Sequence, residues 1–276
     1  MPTYLSYDRA PLAYREQGAG LPLLVVPGGP ARDAAYLGDL GGLASVAERK
    51  LVVPDLRGTG QSQPESDRDS HRADRIAADV ATLVDHLRMA PVDVLAHSAG
   101  ANVAILLAER RPDLVSRLVL VTPGTRALAI DPEEAEWDAA LERRASEPWY
   151  DEVRAAVEAE EPTVEQELVS QALLYGRWDG RARAHAASGQ RNLAAAGWFH
   201  EGAYDPARSR EALAGLRIPV RILVGELDAW PNERGAAELA AAFQDAEVTV
   251  LPGAGHFPWL DDPARFAVSV RDALRR

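Results

Sequence analysis

Short apolar runs alternating with longer helical stretches constrain this chain most. Leu23–Val26, Lys50–Pro54, Val92–Ala96 and Leu118–Val121 each read as a strand. From Arg72 to Met89, the residues Ile76, Val80, Leu83, Val84 and Leu87 recur at helical spacing. A second helix is expected from about Ala99 to Arg111, and another around Tyr36–Ala47, interrupted by Gly41-Gly42. Strands that alternate with helices predict an α/β fold: a parallel sheet covered on both faces, with right-handed crossovers. Ahead of it, Thr3–Tyr7 and Leu12–Glu16 flank Asp8-Arg9-Ala10-Pro11, which predicts an antiparallel hairpin.

The alternation stops at Thr122-Pro123-Gly124. From Thr125 to Leu216 the chain is helical and loop-like, rich in Glu, Arg and Ala. Strand character returns at Val220–Val224 and Glu247–Leu251, with helices expected near Glu233–Phe243 and Pro263–Arg275. The predicted organisation is therefore a core formed by residues 1–124 and 217–276. A helical insertion, 125–216, lies between two strands of one sheet, where it is expected to act as a lid over the sheet edge.

Composition narrows the function classes. A formal charge of −12 and the lack of a basic stripe argue against nucleic acid as a partner. The chain has no cysteine, which excludes disulfides, thiolate metal sites and a cysteine nucleophile. Met1–Tyr14 shows no basic region followed by an apolar core, and no run approaches the roughly 20 apolar residues of a membrane span. The expectation is a cytoplasmic protein with no membrane partner. His71, His86, His185 and His200 have no metal-ligand spacing, and no cofactor is expected.

The chemistry centres on Val92-Asp93-Val94-Leu95-Ala96-His97-Ser98-Ala99-Gly100. This reads as a buried strand, a serine among small residues, then a helix. On so sharp a strand-to-helix turn the serine hydroxyl stands above the sheet edge, and the residues two before and two after it must be small. Ala96 and Gly100 meet that need. The other reading of Ser98 is an ordinary helix cap. Serine needs a base, and the base needs an orienting group. In an open α/β sheet these groups gather outside the carboxyl ends of strands. Asp228 follows the strand ending at Val224; Glu226 is the fallback acid, though it is expected rather to support the turn. His256 lies in the Gly-rich loop Pro252–Pro258 after the next strand. Two backbone donors are needed for an oxyanion. Ala99, after the serine, and Gly29, in Pro27-Gly28-Gly29-Pro30, are expected to supply them. His97 is expected to shape the turn, and His86 to be structural.

The order Ser98, Asp228, His256 resembles that of the α/β-hydrolases. Further matching pieces are Pro27-Gly28-Gly29-Pro30, Asp55-Leu56-Arg57-Gly58-Thr59-Gly60-Gln61-Ser62, Gly225-Glu226-Leu227-Asp228 and Gly253-Ala254-Gly255-His256-Phe257. The resemblance covers essentially the whole chain and implies a mostly parallel sheet of the eight-stranded type. Within the superfamily, the Gly-Gly-Pro loop and the Asp-x-Arg-Gly-x-Gly-x-Ser turn resemble the proline iminopeptidase-like branch. That branch usually has His-Gly-Gly-Pro-Gly and Gly-Gly-Ser-Trp-Gly. Here Pro27 and Ala31 flank the first motif, and the second reads Ala96-His97-Ser98-Ala99-Gly100.

These residues predict a serine hydrolase that cleaves a small, partly apolar ester or amide through an acyl-enzyme. An aminopeptidase is the alternative, and a non-catalytic small-molecule-binding protein is the alternative of another class. Trp137, Trp149, Trp178 and Trp198 lie in the insertion, while Trp230 and Trp259 follow Asp228 and His256. Of the aromatics, Trp149, Trp178, Trp198 and Phe257 are expected to face substrate, and His200 to line the lid. An aminopeptidase would also need carboxylates for the substrate ammonium, with Glu142, Glu147, Glu152 and Asp179 as candidates.

Overall fold

The computed structural model of the chain describes residues 1–63, 67–188, 192 and 197–275. Its strands are β1 Thr3–Leu5, β2 Pro11–Gln17, β3 Leu21–Val26, β4 Arg49–Pro54, β5 Val92–His97, β6 Val115–Val121, β7 Val220–Gly225 and β8 Ala246–Leu251. They form one eight-stranded sheet in the order β1-β2-β4-β3-β5-β6-β7-β8. The pairs β1–β2 and β2–β4 are antiparallel, and all pairs from β4 through β8 are parallel. The fold is thus the α/β-hydrolase type that the alternation and the resemblance predict.

Helices α1 Leu43–Val46, α2 Ala73–Leu87, α3 Gly100–Arg110, α9 Glu233–Ala240, α10 Pro258–Asp261 and α11 Pro263–Ala273 accompany the sheet. Helices α4 Glu134–Glu142, α5 Tyr150–Val157, α6 Val164–Ser170, α7 Gly180–Ala187 and α8 Pro206–Ala214 fall between β6 and β7. The strand period of two divides the apolar side chains between the two faces. Leu24, Val26, Val52, Val94, Ala96, Leu118 and Leu120 share one buried cluster with Ile76, Val80 and Leu83 of α2, Val103 and Leu107 of α3, and Leu239 of α9. Leu23, Val25, Leu51, Val53, Leu95, Val119 and Val121 share the other with Leu43 of α1 and Phe266 and Val270 of α11. Both faces are covered, which is why the central strands read as continuous apolar runs.

The helix expected around Tyr36–Ala47 does not form. A single 3₁₀ turn, Ala34–Leu37, and the short α1 stand in its place. Gly38, Leu40, Gly41 and Gly42 take φ of 56, 51, 67 and 79°, values that break a right-handed helix. The first strand also ends at Leu5 rather than Tyr7, because the Ser6 N–H turns back to the Ala10 carbonyl.

β3 pairs with β4 on one side and β5 on the other, so the winding direction reverses at β3–β5. A crevice opens outside the carboxyl ends at such a point. The loop after β3 and the turn after β5 flank it. Those after β7 and β8 lie farther along the same edge.

Candidate active site

Ser98 sits between β5 and α3 with φ 51°, an uncommon backbone region for a residue with a side chain. The Ser98 N–H donates to the Val121 carbonyl at 3.0 Å, and the Ser98 carbonyl accepts from Ala101 and Gly124 N–H at 2.9 and 2.8 Å. The turn is crowded: a Cβ on Gly100 would lie 2.4 Å from the Pro27 carbonyl oxygen. A Cβ on Gly28 would lie 2.4 Å from the His97 carbonyl oxygen and 2.7 Å from Ser98 Cβ. The loop after β3 therefore closes on the serine only because it carries glycine here.

Three residues distant in sequence meet at this edge. Ser98 Oγ lies 2.8 Å from His256 Nε2, and His256 Nδ1 lies 2.8 Å from Asp228 Oδ2. Asp228 is wholly buried, while Ser98 and His256 are partly exposed. The second Asp228 oxygen accepts the Trp230 N–H at 3.2 Å. Burial pushes the Asp228 carboxyl above its ordinary range, opposed by the His256 imidazole and the N–H groups of Trp230 and Ala229. With Nδ1 facing the carboxylate, the imidazole proton belongs on Nδ1. Nε2 is left to accept from the serine.

Glu226 supports the turn, as expected, rather than standing in as the acid. Its Oε2 accepts the Gly253 N–H at 2.7 Å and braces the turn that leads to His256. The same loop is held from the insertion, where the Leu174 carbonyl accepts the His256 N–H at 2.8 Å. Asp261 accepts Gly255 N–H at 2.8 Å and Gly176 N–H at 3.0 Å, one on each oxygen.

The Gly28 N–H donates to Tyr36 Oη at 2.7 Å. Among the described residues, the Gly29 and Ala99 N–H groups meet no protein acceptor. Gly29 takes φ 61°, and Ala99 caps the start of α3.

The aromatics take varied positions. Trp149 is buried among Leu141, Val153 and Ala172 of the insertion, with Arg144 over its ring at 4.8 Å. Trp198 is fully buried, in the cluster that includes Leu128 and Ile130. Trp178 is half-buried, against Tyr175 at 5.3 Å. Phe257 lies among the rings of Tyr36, Tyr175, His185 and Trp259 and meets His256 edge-on at 5.3 Å. His200 lies 3.9 Å from the exposed Asp69, and His86 packs by Tyr4. An apolar pocket of about 300 Å³ is lined by Trp137, Leu141, Val157, Leu173 and Leu174. Leu174 is the residue whose carbonyl holds His256.

Tyr36, Thr122 and Asp261 also belong to the site, and no sequence motif marks them. Thr122 Oγ1 donates to the His256 carbonyl at 3.0 Å. Asp261 is part of an Asp-Asp-Pro run, which in sequence signals a helix start and nothing more. Among the described residues no helix is long and apolar enough to cross a membrane.

This geometry has relatives. An uncharacterised protein of Mycobacterium bovis is 30% identical over 92% of this chain and 75% of its own length. A 2-hydroxymuconate semialdehyde hydrolase of Pseudomonas sp. (strain CF600) is 26% identical over 94% of this chain and 88% of its own. A proline iminopeptidase of Heyndrickxia coagulans is 29% identical over 40% of this chain and 38% of its own. Among solved structures, a thermophilic esterase from Thermogutta terrifontis superposes with a TM-score of 0.69, at 25% identity, over 99% of this chain and 97% of that one. The family model of the alpha/beta hydrolase fold matches residues 22–263, which reach from β3 to the start of α11 and take in all three hydrogen-bonded residues. By sequence and by fold, the chain belongs to the alpha/beta hydrolase fold family.

Proposed function

We propose that the chain is a serine hydrolase acting on small, partly apolar esters or amides through an acyl-enzyme. The observation that carries this is the hydrogen-bonded series Ser98, His256, Asp228 at the switch point of the sheet. Ser98 Oγ attacks the acyl carbonyl while His256 Nε2 takes its proton. His256 then returns that proton to the departing alcohol or amine, which leaves the acyl group on Ser98. Water, deprotonated by His256, releases the acid and restores the serine. Asp228 holds the imidazole tautomer and stabilises the transient imidazolium.

The oxyanion would form between the Gly29 and Ala99 N–H groups. Gly28 is a poorer donor for it, since its N–H is taken by Tyr36. The insertion, 125–216, serves as a lid whose segment 174–177 presses on the His256 loop. Of the aromatics, Trp178 is partly accessible, whereas Phe257, although beside His256, is as buried as Trp149 and packs within the core cluster. Trp149 is better read as packing of the insertion's own layer, and Trp198 as packing at its seam with the core, where it joins the cluster that holds α2.

The ester reading is favoured over the aminopeptidase by the placement of the four insertion carboxylates. Glu142 accepts the Tyr150 hydroxyl at the surface, and Glu147 pairs with Arg144. Asp179 caps α7, and Glu152 is exposed. A paired assay tests this: short p-nitrophenyl esters against alanyl and prolyl arylamides, each with free and blocked amines. Ester cleavage indifferent to a free amine is expected. Arylamide cleavage that requires the free amine would favour the aminopeptidase.

A further inference from the structure

His97 and Tyr36 form a buried connection that the hydrolytic steps do not use. A carbonyl oxygen only accepts, so His97 Nε2, 2.9 Å from the His256 carbonyl, carries the proton. His97 Nδ1 is then bare and accepts the Tyr36 hydroxyl at 2.7 Å. The Tyr36 oxygen accepts the Gly28 N–H at 2.7 Å. One directed series of three hydrogen bonds thus joins the loop after β3 to the backbone of the loop after β8.

The rings have little room to turn. His97 is 1% exposed and Tyr36 4%. His97 packs against Trp259 at 4.8 Å and Phe257 at 5.5 Å. Arg32 lies over the Tyr36 ring at 4.6 Å. Burial, reinforced by the neighbouring His256, holds His97 well below the usual imidazole range and so keeps it neutral. The Tyr36 carbonyl also accepts from His185 Nε2 at 3.0 Å, and His185 Nδ1 accepts the Tyr175 hydroxyl at 2.7 Å. The insertion therefore reaches the same tyrosine.

We propose that Tyr36 and His97 are positioning residues that hold the Gly28-Gly29 loop and the His256 loop at one fixed spacing. The oxyanion donor and the general base are then set together. The proposal rests on the serine-hydrolase reading. Donors and bases aligned for a transition state lose effectiveness with small displacements, even when substrate still binds.

The test uses Tyr36→Phe, His97→Asn and the double variant of the full-length protein. Phe keeps the ring but removes the shared hydroxyl. Asn leaves an oxygen near the Nδ1 position to accept from Tyr36 and removes the donor to the His256 carbonyl. With p-nitrophenyl acetate, each single variant should lower kcat by on the order of tenfold to a hundredfold, with KM changed less than about twofold. The double variant should lose no more than the worse single, because residues in one series do not act additively.

Circular dichroism checks folding. If Tyr36→Phe does not fold, His97→Asn and His97→Gln carry the kcat and KM comparison. A kcat within twofold of wild type, a loss confined to KM, or losses that multiply in the double variant would overturn the proposal. Failure of the underlying reading shows separately, as a wild-type chain that a fluorophosphonate does not label.

Discussion

The sheet edge and the helical insertion show opposite relations between sequence and geometry. At the edge, each proposed chemical group follows a strand: Gly29 after β3, Ser98 after β5, Asp228 after β7 and His256 after β8. The strands are locked by register and by burial on both faces, so position in the sequence becomes position in space. In the insertion, no such register exists. A tryptophan on a short helix can face the interior of its own layer, the seam with the sheet, or solvent. Trp149 faces the first and Trp137 is exposed. Chemistry placed on a rigid frame is readable, while specificity placed on adaptable helices is much less so.

Removing the serine should have the largest effect at the sheet edge. Ser98→Ala should reduce turnover by about 10⁵- to 10⁶-fold, with Asp228→Asn costing roughly 10⁴-fold. Kinetics on any ester that the wild type cleaves check this, and near-full activity in Ser98→Ala would end the account. Next is the crowding at the turn. Gly28→Ala places a Cβ 2.4 Å from the His97 carbonyl oxygen. It should cost on the order of 10²-fold in kcat through displacement of the neighbouring Gly29 donor. An unaffected kcat would mean that this loop takes no part in the chemistry.

Changes in the insertion should act on stability instead. Trp149→Ala and Trp198→Ala each empty a buried site, and each should cost about 3–5 kcal/mol. At a temperature where both remain folded, kcat should stay within about tenfold of wild type. Thermal melts and steady-state kinetics on the same samples separate the two effects. A thousandfold loss of kcat without loss of stability would return these residues to the substrate site.

The smallest effect is in pH dependence. Burial is the main cause that lowers His185 to about 4, with Arg32 adding to it, and His97 lies well below 6.5. Both stay neutral while the unfolded chain protonates near 6.5. Their contribution is complete above about pH 6.5. As pH falls from there toward 4, the unfolded state binds more protons and stability declines. Buried carboxylates such as Asp79, which burial raises to about 6, act in the opposite sense over the same window. The histidine effect is therefore read as a difference: the wild-type melting temperature should fall relative to that of His185→Gln as pH drops from about 6.5 toward 4. An identical slope in the variant would contradict the assignment.

Much of the site was legible because its requirements are local. Small residues at Ala96 and Gly100, a carboxylate after β7 and a histidine in a glycine-rich loop can each be read within a few positions. Tyr36 could not be read this way. Its partner His97 lies 61 residues on, and the surrounding pattern predicts an ordinary helix. The structure breaks that helix at Gly38–Gly42 and leaves the Tyr36 hydroxyl against His97, beside the turn that carries Ser98. Asp261 escaped similarly, since its bond to Gly176 exists only once the insertion lies on the sheet. For Phe257 and Trp178, burial and ring contacts are now visible, but they arise from three-dimensional packing that no residue spacing encodes.

All of this chemistry depends on Ser98, activated by His256, being the nucleophile. Treating the wild-type chain and Ser98→Ala with a fluorophosphonate, then mapping the adduct by peptide mass spectrometry, tests it most directly. A single adduct on Ser98 is expected in the wild type and none in the variant. Labelling elsewhere that accompanies loss of activity, or undiminished labelling in Ser98→Ala, would contradict it.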